Sequence, residues 1–482
     1  MQHRVVIRIV GVLLVLFSTT MLPPFIVSLI YNDGEGSYFV TAMFLSLVTG
    51  LLLFWPNRAH RRELKTRDGF LVVVMFWSVL SFFGAIPLYL SNIPDFNLAD
   101  AVFESFSGLT TTGATVIVGL DELPKSILFY RQQLQWLGGM GIIVLAVAIL
   151  PMLGIGGMQL YRAETPGPVK DAKLTPRIAG TAKALWFIYL GLTVSCAVSY
   201  WLAGMSPFDA ICHSFSTVAI GGFSTHDLSI GWFQSSNIEI ICSIFMLISG
   251  VNFSLHFVAY RQLSIQPYTR DPEFKAYVTL IIIVAATCFI GLFFSQTFNF
   301  SESIYKAIFH TISIGTTTGF ASSDFSSWPG MLPLLLIFLS FVGGCAGSTG
   351  GGIKVIRFLL LFKQGMREIQ KLIHPNALLR VKLGKQVLSE KVSDAVWGFF
   401  ATYVAIFVLL MLALIADGMD QVTAFSAVAA SMNNLGPGLG GVAENYSDIS
   451  DLAKWLLCLA MIFGRLEIFT LLVLLTPAFW RR

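Results

Sequence analysis

Long apolar runs separated by short polar segments extend along the whole chain. Ten of these runs come close to or exceed the roughly 20 residues that a helix needs to cross a bilayer. We therefore predict ten transmembrane helices, at about residues 5–30, 37–55, 70–92, 127–152, 183–204, 236–260, 275–297, 332–362, 392–416 and 452–476. The first run is too long for the apolar core of a signal peptide, so it is predicted to be a membrane helix, kinked at Pro23 and Pro24.

Four shorter stretches lie between the predicted spans and are alike in length and composition. Each is about ten residues long, moderately apolar and compatible with a helix; they centre on Ala101–Ser107, Ala210–Ser216, Ala307–Ser313 and Ala424–Ala430. A helix of this length cannot span a bilayer, which predicts a half-membrane helix followed by a re-entrant loop. Such a loop is tolerated at membrane depth only where it is buried in protein or lines a wet cavity.

Each short stretch leads into a four-residue run that ends in glycine. The four runs are Thr110, Thr111, Thr112 and Gly113; Ala219, Ile220, Gly221 and Gly222; Thr316, Thr317, Thr318 and Gly319; and Asn433, Asn434, Leu435 and Gly436. Their glycines are separated by 109, 97 and 117 residues. All four runs are predicted on the same, outer side, which favours parallel repeats around one axis over an inverted-repeat transporter.

The predicted fold is an all-α membrane protein with four pseudo-repeated units around one pore. Each unit reads helix, pore helix, filter loop, helix, and an N-terminal pair of transmembrane helices stands outside the repeat. The predicted boundaries are residues 1–62 for this pair and 63–165, 166–265, 266–385 and 386–482 for the four repeats. Repeat three contains an additional glycine-rich loop at residues 343–352.

Composition supports a membrane location. Hydrophobic residues make up 55% of the 482 residues and charged residues only 12%, against about 25% charged in a typical soluble domain. The segments on one side of the predicted spans hold 26 of the 31 Lys and Arg residues, which predicts that this side, with both termini, is cytoplasmic. The six cysteines are scattered singly and suggest neither a disulfide framework nor a metal site.

The outer side holds 17 of the 27 acidic residues and only four basic ones. This balance would raise the local cation concentration at an entrance, although acids that merely avoid the basic side would give the same pattern. In the loops, glycine supplies left-handed backbone, carbonyls supply ligands and threonine hydroxyls add further oxygens. The four runs contain no carboxylate, which favours a monovalent cation, K+ first, with Na+, Rb+ or NH4+ as alternatives.

Two features break the fourfold pattern. Repeat three has six glycines among Gly343, Gly344, Cys345, Ala346, Gly347, Ser348, Thr349, Gly350, Gly351 and Gly352, which predicts a helix broken in the membrane that gates ion flow. Close helix packing through small residues is the alternative interpretation. Arg465 lies inside the last apolar run and is predicted to face the cavity, unless it pairs with an acid on another helix.

Glu104, His213 and His310 share one position in three repeats and are predicted to bond neighbouring backbone, with a metal site as the weaker alternative.

Several of these motifs resemble the membrane subunits of bacterial Trk potassium uptake systems, in the superfamily that includes the Ktr and fungal Trk proteins. The matching segments are Phe103–Ala114, Gln135–Gly141, Ile220–Asp227, Gly343–Lys354 and Asn433–Gly438, and the resemblance covers essentially the whole chain. It implies a K+ filter at the four glycine-terminated runs. It also implies a gate at Gly343–Gly352 with Lys354, and a pore arginine at Arg465.

The resemblance further implies a homodimer with one pore per protomer in the bacterial inner membrane. It implies a cytosolic regulatory subunit that binds NAD(H) and adenine nucleotides, docked near Lys354–Lys391, and it implies no organic cofactor on this chain. No nucleic-acid partner is expected. The chain has no phosphate-binding Gly-x-x-x-x-Gly-Lys-Ser/Thr motif and no cluster of catalytic groups, so it is not predicted to be an enzyme. A gated, potential-driven uniport is predicted, with K+/H+ or K+/Na+ symport as the alternative.

Overall fold

A computed structural model of the chain describes residues 2–60, 66–141, 178–377, 379–384, 386–388, 390–466 and 468–481. Within these ranges the protein is helical apart from connecting loops and one two-stranded antiparallel hairpin, so the all-α prediction is confirmed. Six helices of the described residues are long and apolar enough to cross a membrane, and eight if each of two sharply bent helix pairs counts as one span. The chain is therefore a multi-pass membrane protein.

The N-terminal part consists of α1 (His3–Thr19), α2 (Leu22–Tyr31) and α3 (Gly36–Phe54). Helices α1 and α2 together form the first span. The sequence predicted a kink at the two prolines, but the break lies earlier, at Thr20 and Met21. Both prolines fall in the first turn of α2, where a missing N–H costs no helical hydrogen bond. Helices α1 and α3 cross closely, because a Cβ at Gly11 would lie 2.7 Å from the Gly50 carbonyl oxygen.

Four units follow, each with a long helix, a short helix, a loop and a second helix. The first contains α4 (Thr66–Leu90), α5 (Leu98–Leu109) and α6 (Lys125–Gly139). The second contains α7 (Ile178–Leu202), α8 (Pro207–Ala219), α9 (Ser236–Ser249) and α10 (Phe253–Gln262). The predicted end of span 127–152 lies outside the described residues.

The third unit contains α11 (Gln266–Arg270), α12 (Pro272–Phe294), α13 (Phe300–Gly315), α14 (Leu332–Val342) and α15 (Val355–Ile373), followed by strands β1 (Lys382–Leu383) and β2 (Gln386–Val387). The fourth contains α16 (Glu390–Ala416), α17 (Gln421–Asn433), α18 (Asp451–Arg465), α19 (Phe469–Leu475) and α20 (Pro477–Trp480). The short helices α5, α8, α13 and α17 correspond to the four stretches that were predicted to be too short to span.

Each short helix begins at a side chain that caps it. Asn97, Ser206, Asn299 and Asp420 accept hydrogen bonds of 2.8–3.1 Å from backbone N–H groups in the first turn. Such caps satisfy donors that would otherwise be unpaired, and they fix where the helix enters the protein. Nearly every residue of α5 and α17 is buried, so the short helices form the centre of the molecule.

The predictions of continuous spans at 236–260 and 452–476 are wrong. Helices α9 and α10 meet at an angle of 93°, and α18 and α19 at 117°. Each break lies beside a glycine that also packs against a neighbouring element, and a Cβ at Gly464 would overlap the Met432 carbonyl oxygen. The break in the third unit, between α14 and α15, was predicted from its six glycines. A single glycine gives a much weaker signal, so the other two breaks were missed.

Candidate functional site

The four glycine-terminated runs, called here the glycine loops, meet in a ring. The second helix of each unit packs on the short helix of the next: α6 on α8, α9 on α13, α14 on α17 and α18 on α5. A Cβ placed on Gly113 would overlap the Gly221 carbonyl oxygen. In the same way, a Cβ on Gly222 would overlap the Thr318 carbonyl oxygen, and one on Gly319 the Leu435 carbonyl oxygen. The ring closes at Gly436, where a Cβ would lie 2.9 Å from the Thr112 carbonyl oxygen.

The loops share one backbone conformation despite their different side chains. The fourth position of each run has a φ of +80° to +95°, which glycine adopts without strain. The second position is also left-handed, with φ of 58° at Thr111, 54° at Ile220, 69° at Thr317 and 53° at Asn434. A β-branched residue in this region is strained, so the surrounding structure must hold it there.

The four loops also share one pattern of backbone hydrogen bonds. The amide of the third position bonds to the carbonyl five residues earlier over 2.8 Å in all four loops: Thr112 to Ser107, Gly221 to Ser216, Thr318 to Ser313 and Leu435 to Ala430. These bonds close the C-terminal ends of the short helices, whose partial negative charge then faces the loops. The loops therefore present backbone oxygens and helix ends, with no ionised side chain of their own.

Most loop hydroxyls and amides brace the ring. Thr110 and Thr112 share a hydrogen bond of 2.8 Å between their hydroxyls, as do Thr316 and Thr318 over 2.7 Å. Asn434 Nδ2 donates to Thr112 Oγ1 across the junction of units four and one over 2.9 Å. The threonine pairs thus brace single loops, whereas Asn434 joins the fourth loop to the first.

Two residues outside the runs also hold the ring. Gln135 lies in one of the segments that carry the family resemblance, but no role was predicted for it or for Tyr446. Gln135 on α6 donates to the Gly221 carbonyl over 2.7 Å and accepts from the Phe223 amide over 3.0 Å. Tyr446 donates from its hydroxyl to the Gly436 carbonyl over 2.8 Å, while its own amide donates to Thr115. Each therefore links a loop to the neighbouring unit.

A buried ion pair supports the first two loops. Arg131 on α6 and Glu104 on α5 are in contact at 2.7 Å, and neither side chain is more than 1% exposed. Glu104 also accepts from Thr115 and from the Val116 amide, and Arg131 donates to the Ser224 carbonyl of the second unit over 3.1 Å. Because both charges are paired and hydrogen-bonded, the pair can exist at this depth.

Two further pairs join neighbouring units. Lys306 of α13 contacts Glu239 of α9 at 2.8 Å, and Lys454 of α18 contacts Asp100 of α5 at 2.7 Å. Three residues, Glu104, His213 and His310, were predicted to bond neighbouring backbone. Glu104 accepts from the Val116 amide, and His213 bonds the Asp209 carbonyl and the Ser224 hydroxyl over 2.9 Å each. His310 instead lies 3.2 Å from a side chain, the Ser323 hydroxyl. No group of three or more metal-ligating side chains occurs within the described ranges.

A histidine–carboxylate cluster lies beside the second loop. His226 is 6% exposed, contacts Asp121 through Nδ1 and lies 3.6 Å from Asp209 through Nε2. Its ring stacks on Trp232 with 3.7 Å between centroids. Burial alone would lower the pKa of His226, but hydrogen bonds and charge from Asp209 and Asp121 outweigh it and raise the pKa above 6.5.

The glycine-rich segment, residues 343–352, packs directly against the inner face of the ring. The Gly351 amide donates to Thr317 Oγ1 over 2.7 Å, and the Gly352 amide donates to the Asn433 carbonyl over 3.1 Å. Thr349 donates from its hydroxyl to the Val218 carbonyl over 3.0 Å. The segment therefore touches the inner ends of three loops.

The remainder of the segment is fixed to the second unit. The Cys345 amide bonds the Gly250 carbonyl over 2.9 Å, and the Gly347 carbonyl accepts from the Phe253 amide over 3.0 Å. Ser348 bonds back to the Cys345 carbonyl, and Gly344 packs beside Ser348 and Gly250. Close backbone contacts require glycine at two further positions, because a Cβ at Gly343 would overlap the Gly351 carbonyl oxygen and one at Gly351 the Asn433 carbonyl oxygen.

Two basic residues complete the inner side. Arg465, at the end of α18, donates to Thr111 Oγ1 over 3.1 Å, to the Thr349 carbonyl over 3.4 Å and to the Gly138 carbonyl over 2.6 Å. Lys354 has a left-handed φ of 83°, and its amine contacts the Gly350 carbonyl. The predicted filter and gate residues are thus brought together in one place.

Known proteins resemble this chain over its full length. Residues 35–482 match the family TrkH, described as "Cation transport protein". The Trk system potassium uptake protein TrkH of Vibrio parahaemolyticus is 60% identical, and that of Escherichia coli K12 is 56% identical, each over all of both chains. The crystal structure of the potassium transporter TrkH from Vibrio parahaemolyticus superposes with a TM-score of 0.91, at 57% identity and full coverage of both chains.

Proposed function

Because the chain belongs to the TrkH family of cation transport proteins, we propose that it takes up K+ through the centre of the ring of glycine loops. Relatives that match it along their whole length are named Trk system potassium uptake proteins, which supports K+ as the transported ion. K+ is cargo here and not a resident cofactor. The proposed site lies in a bacterial inner membrane, with both termini in the cytoplasm.

The observation that carries this proposal is the close approach of backbone groups from neighbouring loops all the way around the ring. Four loops of different sequence share left-handed residues at their second and fourth positions, and each glycine abuts the carbonyl oxygen of the next loop. A cation that loses its water needs such closely placed oxygens. Carbonyl ligands do not depend on side-chain identity, so Thr111, Ile220, Thr317 and Asn434 can occupy equivalent places.

The glycine-rich segment and Arg465 act, in this proposal, as the gate. The segment packs against the second, third and fourth loops, and the guanidinium lies beside Thr111 of the first loop, so ion flow requires both to move. An arginine beside the path also repels a cation. With the gate open, an inside-negative potential supplies about 2.3 kcal/mol per charge for each 100 mV, which is enough to drive uptake without ATP hydrolysis on this chain.

Assembly belongs to the same proposal. We propose a homodimer with one pore in each protomer, regulated by a cytosolic subunit that binds NAD(H) or adenine nucleotides. The names of the relatives place them in a multi-component "Trk system", which supports a partner. The nine basic residues between Lys354 and Lys391 make this the most basic cytoplasmic segment and the proposed docking site.

Flux of Rb+ into liposomes under an imposed inside-negative potential tests the proposal. Gly113→Ser places a side chain against the Gly221 carbonyl at a position with φ of +83°, so selectivity for Rb+ over Na+ should fall. Gly191→Ser is the matched control, because a Cβ at Gly191 meets nothing within 4 Å. Equal Rb+/Na+ discrimination in both variants would remove Gly113 from the filter.

A further inference from the structure

The two ends of the glycine-rich segment lie side by side. Past its end, the Ile353 amide bonds the Phe341 carbonyl over 2.9 Å and the Lys354 amide bonds the Val342 carbonyl over 3.0 Å. The Val355 amide bonds Gly344 over 3.2 Å. The segment is therefore a closed loop on a narrow neck, and a contact at the neck controls the position of the whole loop.

One carboxylate from another helix accepts hydrogen bonds from the chain on both sides of this neck. Glu273, in the first turn of α12, is 7% exposed. Its Oε1 accepts a hydrogen bond of 2.7 Å from the Ala346 amide, inside the segment, and one of 3.1 Å from the Ile356 amide, at the start of α15. Because both donors are backbone groups, the glycine-rich sequence itself does not reveal the contact.

The position of Glu273 suits a hydrogen-bond acceptor. Ile356 lies in the first turn of α15, where backbone amides have no partner within the helix and need an acceptor from elsewhere. The neighbouring acid Asp271 has a different task, since its Oδ1 caps α12 by accepting from the Phe274 amide over 2.7 Å. Of these two acids, the segment is held by Glu273.

We propose that Glu273 is a latch that holds the glycine-rich segment against the ring, so that the segment moves only when this carboxylate releases Ala346 and Ile356. The inference rests on the proposed gating function of the segment. It assigns the closed position to a residue of α12, outside both the segment and the ring. Movement of α12 or α15 on the cytoplasmic side would then release the segment.

Cys345 offers a direct reading of the segment's position. It precedes Ala346 and is 1% exposed, and the other five cysteines are buried as well. The rate at which a small thiol reagent modifies Cys345 in the purified full-length protein, measured by mass spectrometry of the labelled peptide, therefore reports release of the segment without reference to ion flux.

We expect labelling of Cys345 to be faster by about tenfold in Glu273→Ala, which removes both hydrogen bonds to Glu273 Oε1. Glu273→Gln keeps an accepting oxygen and should label more slowly than the alanine variant. Asp271→Asn is the matched control, because asparagine also caps a helix, and it should label like the wild type. Basal Rb+ flux of the variants is measured in parallel.

Unchanged Cys345 labelling in folded Glu273→Ala would overturn the latch. If the alanine variant does not fold, Glu273→Leu, which keeps side-chain bulk but has no accepting oxygen, decides in its place: faster labelling supports the latch and wild-type labelling contradicts it. Faster labelling without any Rb+ flux would leave the latch standing and contradict the proposed gating function. Faster labelling together with higher flux supports both.

Discussion

Arg465 donates a hydrogen bond from Nη1 to Thr111 Oγ1 over 3.1 Å, joining the end of the fourth unit to the inner end of the first glycine loop. The same guanidinium reaches the Thr349 carbonyl in the glycine-rich segment and lies 4.9 Å from the ring of Trp77. One side chain thus touches a glycine loop, the glycine-rich segment and the wall of the first unit. Its loss should loosen the segment and remove a positive charge from the path.

Arg465→Ala should raise basal Rb+ flux in liposomes roughly tenfold, because hydrogen bonds from a charged donor to the segment disappear. The ratio of Rb+ to Na+ flux should not change, since the ring itself is intact. Arg261→Ala, which removes an exposed arginine at the end of α10, controls for loss of charge. Flux at or below the wild-type level in folded Arg465→Ala would argue against a closing role.

Glu104→Gln should destabilise the protein by about 3–5 kcal/mol, because it leaves the buried Arg131 guanidinium without its carboxylate. Thermal unfolding in detergent, followed by loss of the monodisperse elution peak, measures the effect. The double variant Glu104→Leu with Arg131→Met should cost less than the sum of the single variants, because the two residues interact directly.

Glu368→Gln provides the control for this pair. Glu368 contacts Arg367 and Lys371 on the surface and its side chain is 50% exposed, so its loss should leave the stability almost unchanged. A similar shift in unfolding temperature for Glu104→Gln and Glu368→Gln would show that the buried pair does not brace the glycine loops.

His226 should make stability depend on pH. Its folded pKa is raised above 6.5 by Asp209 and Asp121, so its stabilising contribution is complete below pH 6.5 and is lost as the pH rises through the folded value. The unfolding temperature of the wild type should therefore fall between pH 6 and pH 8, and that fall should be smaller in His226→Gln. The exposed His374→Gln variant should behave like the wild type. Parallel profiles for the wild type and His226→Gln would contradict this assignment.

Ion coupling can be tested at fixed K+ on both sides of a planar bilayer. A uniport predicts a reversal potential that does not move when a proton or Na+ gradient is imposed, because only K+ carries charge through the ring. Shifts that follow either gradient would favour K+/H+ or K+/Na+ symport. Because Arg465→Ala raises flux in this account, the same recording on that variant gives a larger signal.

The sequence predicted the parts of the site that are local. The four short stretches and their four glycines could be recognised because each signal, namely segment length, hydropathy and the demand for left-handed backbone, lies within about twenty residues of sequence. The left-handed Thr111 and Ile220 were not predicted, because neither residue type prefers that conformation and the surrounding ring imposes it. The helix breaks at Gly250 and beyond Arg465 were not predicted either, because a single glycine is an ambiguous signal for a break.

Contacts between distant residues account for the rest. Gln135 and Gly221 are 86 residues apart, and Arg131 and Ser224 are 93 apart, so no periodicity in the chain connects them. Glu273 looks like an ordinary acid at the start of a helix until Ala346 is placed beside it. When a distant side chain bonds a backbone group, the residues next to that group do not indicate the contact.

The proposed function requires that the four glycine loops form a single K+-selective ring. Bi-ionic reversal potentials, with K+ on one side of a planar bilayer and Na+ on the other, test this requirement most directly in the wild type, Gly113→Ser, Gly319→Ser and the control Gly191→Ser. We expect a strongly K+-selective potential for the wild type and the control, and a potential near zero for both loop variants. Undiminished K+ selectivity in Gly113→Ser and Gly319→Ser would contradict a K+-selective ring.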